Sequence, residues 1–276
     1  LYHSDFFGSI AARLAGVRNL VWNIRHSNFN KDNTKKSLKI LVKILAGLSY
    51  FLPKKIIICS KKSIKIHKEF GYDEKKIVYV ANGYDLNEFK PNPIQKFNFR
   101  KKYNFKNNLP IFGNVARYHP QKDHKNLLEA LHFLKRDKFF FKCILVGHRI
   151  NKKNKILNNL FKKLNLENEI IFLGQQKNIN QIMNGIDIHI LSSKYGEAFP
   201  NVVGEAMASG TPCVVTDVGD SSLIVDKTGW VVQPNNPKKL ASSLKLSISY
   251  INTNRWLGIC KSARKRIYNK FSIKNM

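Results

Sequence analysis

Two glutamates eight positions apart, Glu197 and Glu205, stand in a segment of mostly small residues that runs from Ser192 to Pro212. The segment reads as a strand end, a loop containing Gly196, Ala198 and Pro200, and a helix that starts near Asn201. Such a turn aims backbone amides and the positive end of a helix dipole at an anion, so a phosphate fits there. Carboxylates nearby suit the hydroxyls of a sugar or ribose, because each oxygen accepts more than one hydrogen bond. An arbitrary pair of glutamates is simply solvated. Glu205, however, sits among Val202, Val203, Gly204, Ala206, Met207 and Ala208, where a charge is costly unless something answers it. Arg117 and Lys122 follow an apolar strand that contains Gly113. In so lysine-rich a chain they are ordinarily solvent-facing charges, but at the C-terminal end of a strand in the same domain they can clamp an anion.

The segment from Glu197 to Pro212 resembles the signature of the family 4 retaining glycosyltransferases, E-x7-E followed by A-M-A-x-G-x-P, on the GT-B architecture of two Rossmann-like domains. By that resemblance Glu197 contacts the transferred sugar, the backbone of Phe199, Pro200, Asn201 and Val202 meets the sugar and the diphosphate, and Glu205 holds the ribose hydroxyls. The stretch from Gly113 to His124 is similar to the family's G-R-(x4)-K segment, with Ala116 where the glycine before the arginine stands; Arg117 and Lys122 would then neutralise the departing diphosphate. Leu173 to Ile179 resembles the loop that holds the base, which assigns base contact to Lys177, Asn178 and Ile179. Val146-Gly147, Asn82-Gly83-Tyr84-Asp85, Asp217 to Asp220 and Asp226 to Gly229 resemble further family turns. His26, at a strand end, would position sugar or acceptor. His3 resembles an acceptor-side element, and His119, His124 and His148 are weaker candidates. The resemblance implies a nucleotide-sugar donor, UDP- or GDP-linked, no prosthetic group and no metal, and a glycan, lipopolysaccharide or lipid-linked acceptor. It also implies that elements preceding His3 in family members are missing, so that the chain is N-terminally truncated.

These residues need a scaffold that delivers strand ends to one cleft. Short apolar runs rich in β-branched residues alternate with helical patterns, which predicts an α/β fold with parallel sheets covered on both faces. In the first part, helices are expected over 6–14, 35–51 and 60–70, and strands over 19–24, 55–59 and 77–80. A polar run over 100–108, after Pro91 and Pro93, reads as the domain boundary. Beyond it, strands are expected over 110–115, 140–146, 170–173, 186–191 and 212–216, with helices over 125–134, 153–164, 179–184 and 201–209 between them. Those five strands make a complete doubly wound domain, whereas the first part looks like the back half of one. The expected division is 1–100 on the acceptor side, 101–254 for the nucleotide sugar, and a basic helix within 255–276 returning toward the first domain.

With 276 residues, of which 43% are hydrophobic, the chain can bury large cores. Its formal charge of +30 is compatible with a lysine-, asparagine- and isoleucine-rich composition, with an anionic membrane face, or with nucleic acid. The lysines are spread rather than clustered, and no RNA- or DNA-binding motif appears, so nucleic acid is not the expected partner. Four separated cysteines with no metal-ligand spacing read as reduced thiols of a cytosolic protein. No apolar run is long enough to span a bilayer, and no signal-peptide pattern opens the sequence. The helix over 35–51 carries Leu38, Leu41, Val42, Leu45 and Leu48 on one side and Lys35, Lys36, Lys39 and Lys43 near its start. That pattern fits a helix packed on a sheet and equally a peripheral helix on an anionic inner membrane face. A sugar-nucleotide epimerase or a phosphorylase of the same architecture is the nearest enzymatic alternative, and a basic nucleic-acid-binding protein the alternative from another class.

Overall fold

A computed structural model describes residues 2–27, 36–106 and 108–276. The chain divides into two compact units, the first made of Leu1–Asn82 with Gly196–Phe199 and Met276, the second of Gly83–Tyr195 and Pro200–Asn275.

In the first unit, α1 (Tyr2–Leu14), β1 (Val21–Ile24), α2 (Lys36–Leu48), β2 (Lys55–Ile58), α3 (Lys61–Glu69) and β3 (Ile77–Tyr79) build a three-stranded parallel sheet of order β1-β2-β3. Trp22, Ile24, Ile56 and Ile58 point from the sheet into a core that also takes Tyr2, Val42, Leu45, Ala46 and Tyr72. Leu38, Leu41 and Leu48 pack against it, so the leucine-rich stripe of α2 is a core stripe. Lys35, where the helix was expected to begin, lies outside the described residues. The start of α3 is fixed by Ser60, whose hydroxyl accepts from the Ser63 amide at 3.2 Å, an ordinary N-cap.

The second unit contains α4 (Pro93–Lys102), β4 (Ile111–Val115), α5 (His124–Arg136), β5 (Lys142–Val146), α6 (Lys155–Lys163), β6 (Ile170–Gly174), α7 (Ile179–Gly185), β7 (Ile188–Leu191), α8 (Asn201–Ala208), β8 (Cys213–Thr216), α9 (Ser221–Val225), β9 (Trp230–Val232), α10 (Pro237–Tyr250) and α11 (Asn254–Phe271). Its six strands are all parallel, in the order β6-β5-β4-β7-β8-β9. Numbered along the chain this is 3-2-1-4-5-6, the doubly wound order, with its switch point between β4 and β7. The central strands are mostly apolar, interrupted in β7 by the buried His189, because both faces are covered, with Phe112, Cys143, Leu145, Ile188, Ile190 and Val214 packed against Leu127, Leu131, Leu134, Leu240 and Leu244.

Two parts of the sequence reading change. The polar run over 100–108 is not all linker: its first residues finish α4, which Asn92 caps and Pro93 opens. Arg100, the first residue of that run, is buried and donates to Asp187 Oδ2 at 3.1 Å. The sheet also gains a sixth strand, β9, whose three residues are too few to show a period.

Candidate functional site

The loops after β4 and β7 leave the sheet on either side of the switch point, at its carboxyl edge, where open α/β sheets bind ligands. The β4 loop carries Arg117, exposed, and then a short 310 turn, Pro120–Lys122, which His119 caps by accepting from the Gln121 amide at 3.2 Å. Asp123 follows in the left-handed region, at φ 46°, and its carboxylate accepts from the Asn126 amide at the start of α5. The two loops are bonded to each other: the Lys194 amide donates to the Gln121 carbonyl at 2.9 Å, and the Ser192 hydroxyl to the Lys122 carbonyl at 2.8 Å. Gly147, at the end of β5 with φ 148°, leaves room for the Ala116 carbonyl, which a Cβ there would overlap. That close approach gives the strand-ending Val146-Gly147 a backbone reason.

The field around this loop is positive. The His119 pKa is lowered by partial burial and then by the charges of Arg117 and Lys122. Two buried imidazoles sense the same lysine after burial itself: His124 is held down to about 4 and His189 to about 3. Both are therefore neutral near pH 7, and they add no charge to the site. Gly113 lies inside β4, where a Cβ would meet Ile186 Cδ1 at 2.5 Å, so its place in the sheet is a packing one.

Glu205 is half-buried in the second turn of α8. Burial, followed by the negative charge of Glu88, pushes its pKa up to about 7. Glu88 is brought there by the segment after Gly83, where Asp85 accepts from the amides of Asn87 and Glu88. Nothing in the sequence pattern singled out Glu88. The ring of Tyr84 fills the place a side chain would take on Gly204, one residue before Glu205. Arg264 of α11 donates to the Ala208 carbonyl at the end of α8 and to the Phe89 carbonyl at 3.0 Å, so one guanidinium ties α8 to this segment. The first turn of α8, from Asn201 and Val202, has no side-chain cap. At the end of β6, Gly174 adopts φ 67° and accepts from the Gly147 amide at 2.8 Å. Lys177 and Asn178 beyond it are exposed, and Ile179 opens α7, which also lacks a side-chain cap.

In the first unit, His26 lies half-buried after β1, edge-on to Tyr2 with ring centroids 6.1 Å apart. The hydroxyl of Ser27, its neighbour, donates to the carbonyl of Glu197, and Asn82 Nδ2 donates to the carbonyl of Phe199 at 3.5 Å. Glu197 and Phe199 are buried in this unit with Ala198. The residue after His26 is thus bonded to the backbone of Glu197. His3 is exposed on α1. Burial raises the Asp5 pKa to about 6.

The sequence profile described as "Glycosyl transferases group 1" matches residues 95–255, more than half of the chain and all six strands of the doubly wound sheet. The chain belongs to the group 1 glycosyltransferases. One relative of this glycosyltransferase chain is the Escherichia coli UDP-Gal:alpha-D-GlcNAc-diphosphoundecaprenol alpha-1,3-galactosyltransferase, 27% identical over 98% of this chain and 70% of that protein. Another is the putative glycosyltransferase EpsF of Bacillus subtilis, 29% identical over 78% of this chain, which spans only 56% of EpsF. Among solved structures, Anabaena Alr3699/HepE in complex with UDP superposes with a TM-score of 0.88 at 23% identity, over 99% of this chain and 74% of that one. The fold of this glycosyltransferase is accordingly GT-B-like, with parallel sheets flanked by helices.

Proposed function

We propose that the chain acts as a retaining, family 4-type glycosyltransferase. In this reading it transfers a hexosyl residue from a UDP- or GDP-sugar to a lipid-linked, lipopolysaccharide or polysaccharide acceptor. The observation that carries the reading is the pair of mutually bonded loops at the switch point. One bears Arg117 and Lys122; the other leads to the uncapped start of α8. Positive side chains and a helix start at one sheet edge are what a leaving nucleoside diphosphate needs, because negative charge grows on it as the sugar departs.

In this reading Arg117 and Lys122 neutralise the diphosphate, the backbone from Phe199 to Val202 holds its oxygens and the sugar, and Glu205 accepts from the ribose hydroxyls. Lys177, Asn178 and Ile179 meet the base. Glu197 contacts the transferred sugar, and His26 positions sugar or acceptor. Residues 1–100 then serve the acceptor and 101–254 the donor. Transfer with retention proceeds through a short-lived oxocarbenium-like pair attacked on the face the diphosphate leaves. A uridine donor is supported by the UDP named for the Anabaena structure and by the UDP-Gal in the name of the E. coli relative. The undecaprenol-linked acceptor in that relative's name supports a lipid-linked one here.

The test is a thermal-shift and calorimetric screen of nucleotides and nucleotide sugars with the wild type, Glu205→Ala and Arg117→Ala. A UDP- or GDP-sugar should stabilise the wild type, and either substitution should abolish the shift. A folded wild type that binds no nucleotide sugar sinks the reading.

A further inference from the structure

Between the basic loop and α6 lies a cavity of about 510 Å³ that the donor assignment does not use. Tyr118 and His124, from either end of that loop, and Leu157 and Leu160, from α6, form part of its wall. None of Arg117, Lys122, Glu205 or the stretch from Lys177 to Ile179 lines it. Its size is that of a small-molecule site, in which an apolar wall holds the body of a ligand and a few polar groups fix its head.

Three cations share this cavity: Lys125 in the first turn of α5, Lys163 in the last turn of α6, and Lys194 from the loop after β7. Among the described residues, Lys125 alone of the three has a carboxylate in ion-pair reach, Glu129 at 3.8 Å. Asp123 is the one acid in the wall, and its carboxylate already accepts from the Asn126 amide. At a net charge of +30, surface lysines alone mean little. These three are set apart by the imidazole that shares their cavity. His124 is only 3% exposed, yet neither of its ring nitrogens makes a hydrogen bond within the protein. A neutral imidazole has one N–H to donate, and a buried donor without an acceptor costs free energy that a ligand oxygen recovers. The Tyr118 ring, its centroid 5.5 Å from that of His124, carries the aromatic wall on from the imidazole. The match for these groups is a phosphate monoester, which brings nearly two negative charges and three acceptor oxygens, where a carboxylate brings one charge and two.

We propose that this cavity is a second ligand site, for a small organic phosphate monoester, with the phosphate on Lys125, Lys163, Lys194 and His124 and the body against Tyr118, Leu157 and Leu160. The site goes beyond the donor-site reading and stands without it. Both halves of the ligand are required: the cations alone hold any anion weakly, and the apolar wall selects one that carries a ring or a hydrocarbon body.

Calorimetry on the full chain with phenyl phosphate, inorganic phosphate and phenol tests the site. Phenyl phosphate joins the two chemistries that the cavity offers, and the other probes carry one each. The wild type should bind phenyl phosphate about tenfold more tightly than either of them, or better. The double variant Lys125→Glu with Lys163→Glu should weaken that binding about tenfold or more. Both lysines are exposed, so this variant should melt as the wild type does. Arg117→Ala should bind phenyl phosphate as the wild type does, because Arg117 does not line the cavity. Equal binding by wild type and lysine variant overturns the site, as does inorganic phosphate that binds as tightly as phenyl phosphate. A folded wild type that binds no phenyl phosphate overturns it too. Binding that Arg117→Ala abolishes and the lysine variant keeps puts the phosphate at the donor loop instead, and likewise overturns it. Nucleotide-sugar binding is measured on the same samples: its absence sinks the donor reading and leaves the phenyl phosphate result standing.

Discussion

The hydroxyl of Ser192, at the end of β7, donates to the carbonyl of Lys122 across the switch point at 2.8 Å. The strand that leads to the helix start therefore holds the backbone of the basic loop. Ser192 is buried, so Ser192→Ala removes one donor and leaves the Lys122 carbonyl short of a partner. A lost bond of this kind costs about 1 kcal/mol, which corresponds to about three- to tenfold in donor affinity if the loop must be in place before binding. Calorimetry on Ser192→Ala should show that loss with a melting temperature lowered by only a few degrees. Unchanged affinity would mean that Lys122 is positioned without its neighbour.

A second outcome concerns pH. The Glu205 carboxyl titrates near 7 because burial, and then Glu88, disfavour its ionised form, against an ordinary value of 4.5. A carboxyl whose folded pKa is raised contributes stability that is fully present below its ordinary value and is lost as pH rises through 7. Relative to Glu205→Gln, the wild type should therefore lose a few degrees of melting temperature between about pH 5 and pH 8. Glu88→Gln should remove the smaller part of that loss. Ribose hydroxyls donating to the carboxylate favour the ionised form, so nucleotide binding should tighten across the same interval. A difference between wild type and Glu205→Gln that does not vary with pH would contradict the titration.

Gly204 is explained by Tyr84 and not by helix propensity. Alanine is favoured over glycine in a helix by about 1 kcal/mol, yet a Cβ on Gly204 would overlap the Tyr84 ring. Overpacking of this kind costs about 1–3 kcal/mol, so Gly204→Ala should destabilise the wild type in urea unfolding. In a Tyr84→Ala background the same change should be neutral or stabilising. Independent, additive effects of the two substitutions would disprove the contact.

The legible parts of this molecule are those whose signal is local. Ser192 to Pro212 is one unbroken segment, so its strand end, loop and helix start could be read together with Glu197 and Glu205. β4, β5, β7 and β8 announce themselves as apolar runs because the sheet covers them on both faces. What escaped depends on packing between distant positions. Glu88 meets Glu205 only through the fold. Arg100 looks solvated until Asp187 is placed beside it. On α2 the leucine stripe was visible, and it turned out to face the core.

Asp187 offers the sharpest test of how α4 is anchored. Its buried carboxylate accepts from the Ile111 amide at 2.9 Å and Arg100 Nη1 at 3.1 Å on one oxygen, and from Lys96 Nζ at 2.8 Å on the other. Arg100 is nearly as buried, with further bonds to the carbonyls of Lys106 and Leu109, whereas Lys96 is 41% exposed. Removing one member of a buried pair strands the other charge and costs about 3–5 kcal/mol. An exposed partner is worth about 1 kcal/mol or less. Urea unfolding should therefore rank Asp187→Ala far below Lys96→Ala in stability. Because Asp187 also fixes the first residue of β4, its loss should slacken the strand that leads to Arg117, weakening donor binding in the fraction still folded. Similar costs for the two substitutions would mean that the Arg100 pair is open to water and that α4 is held by Phe99, packed where Gly185 lacks a side chain.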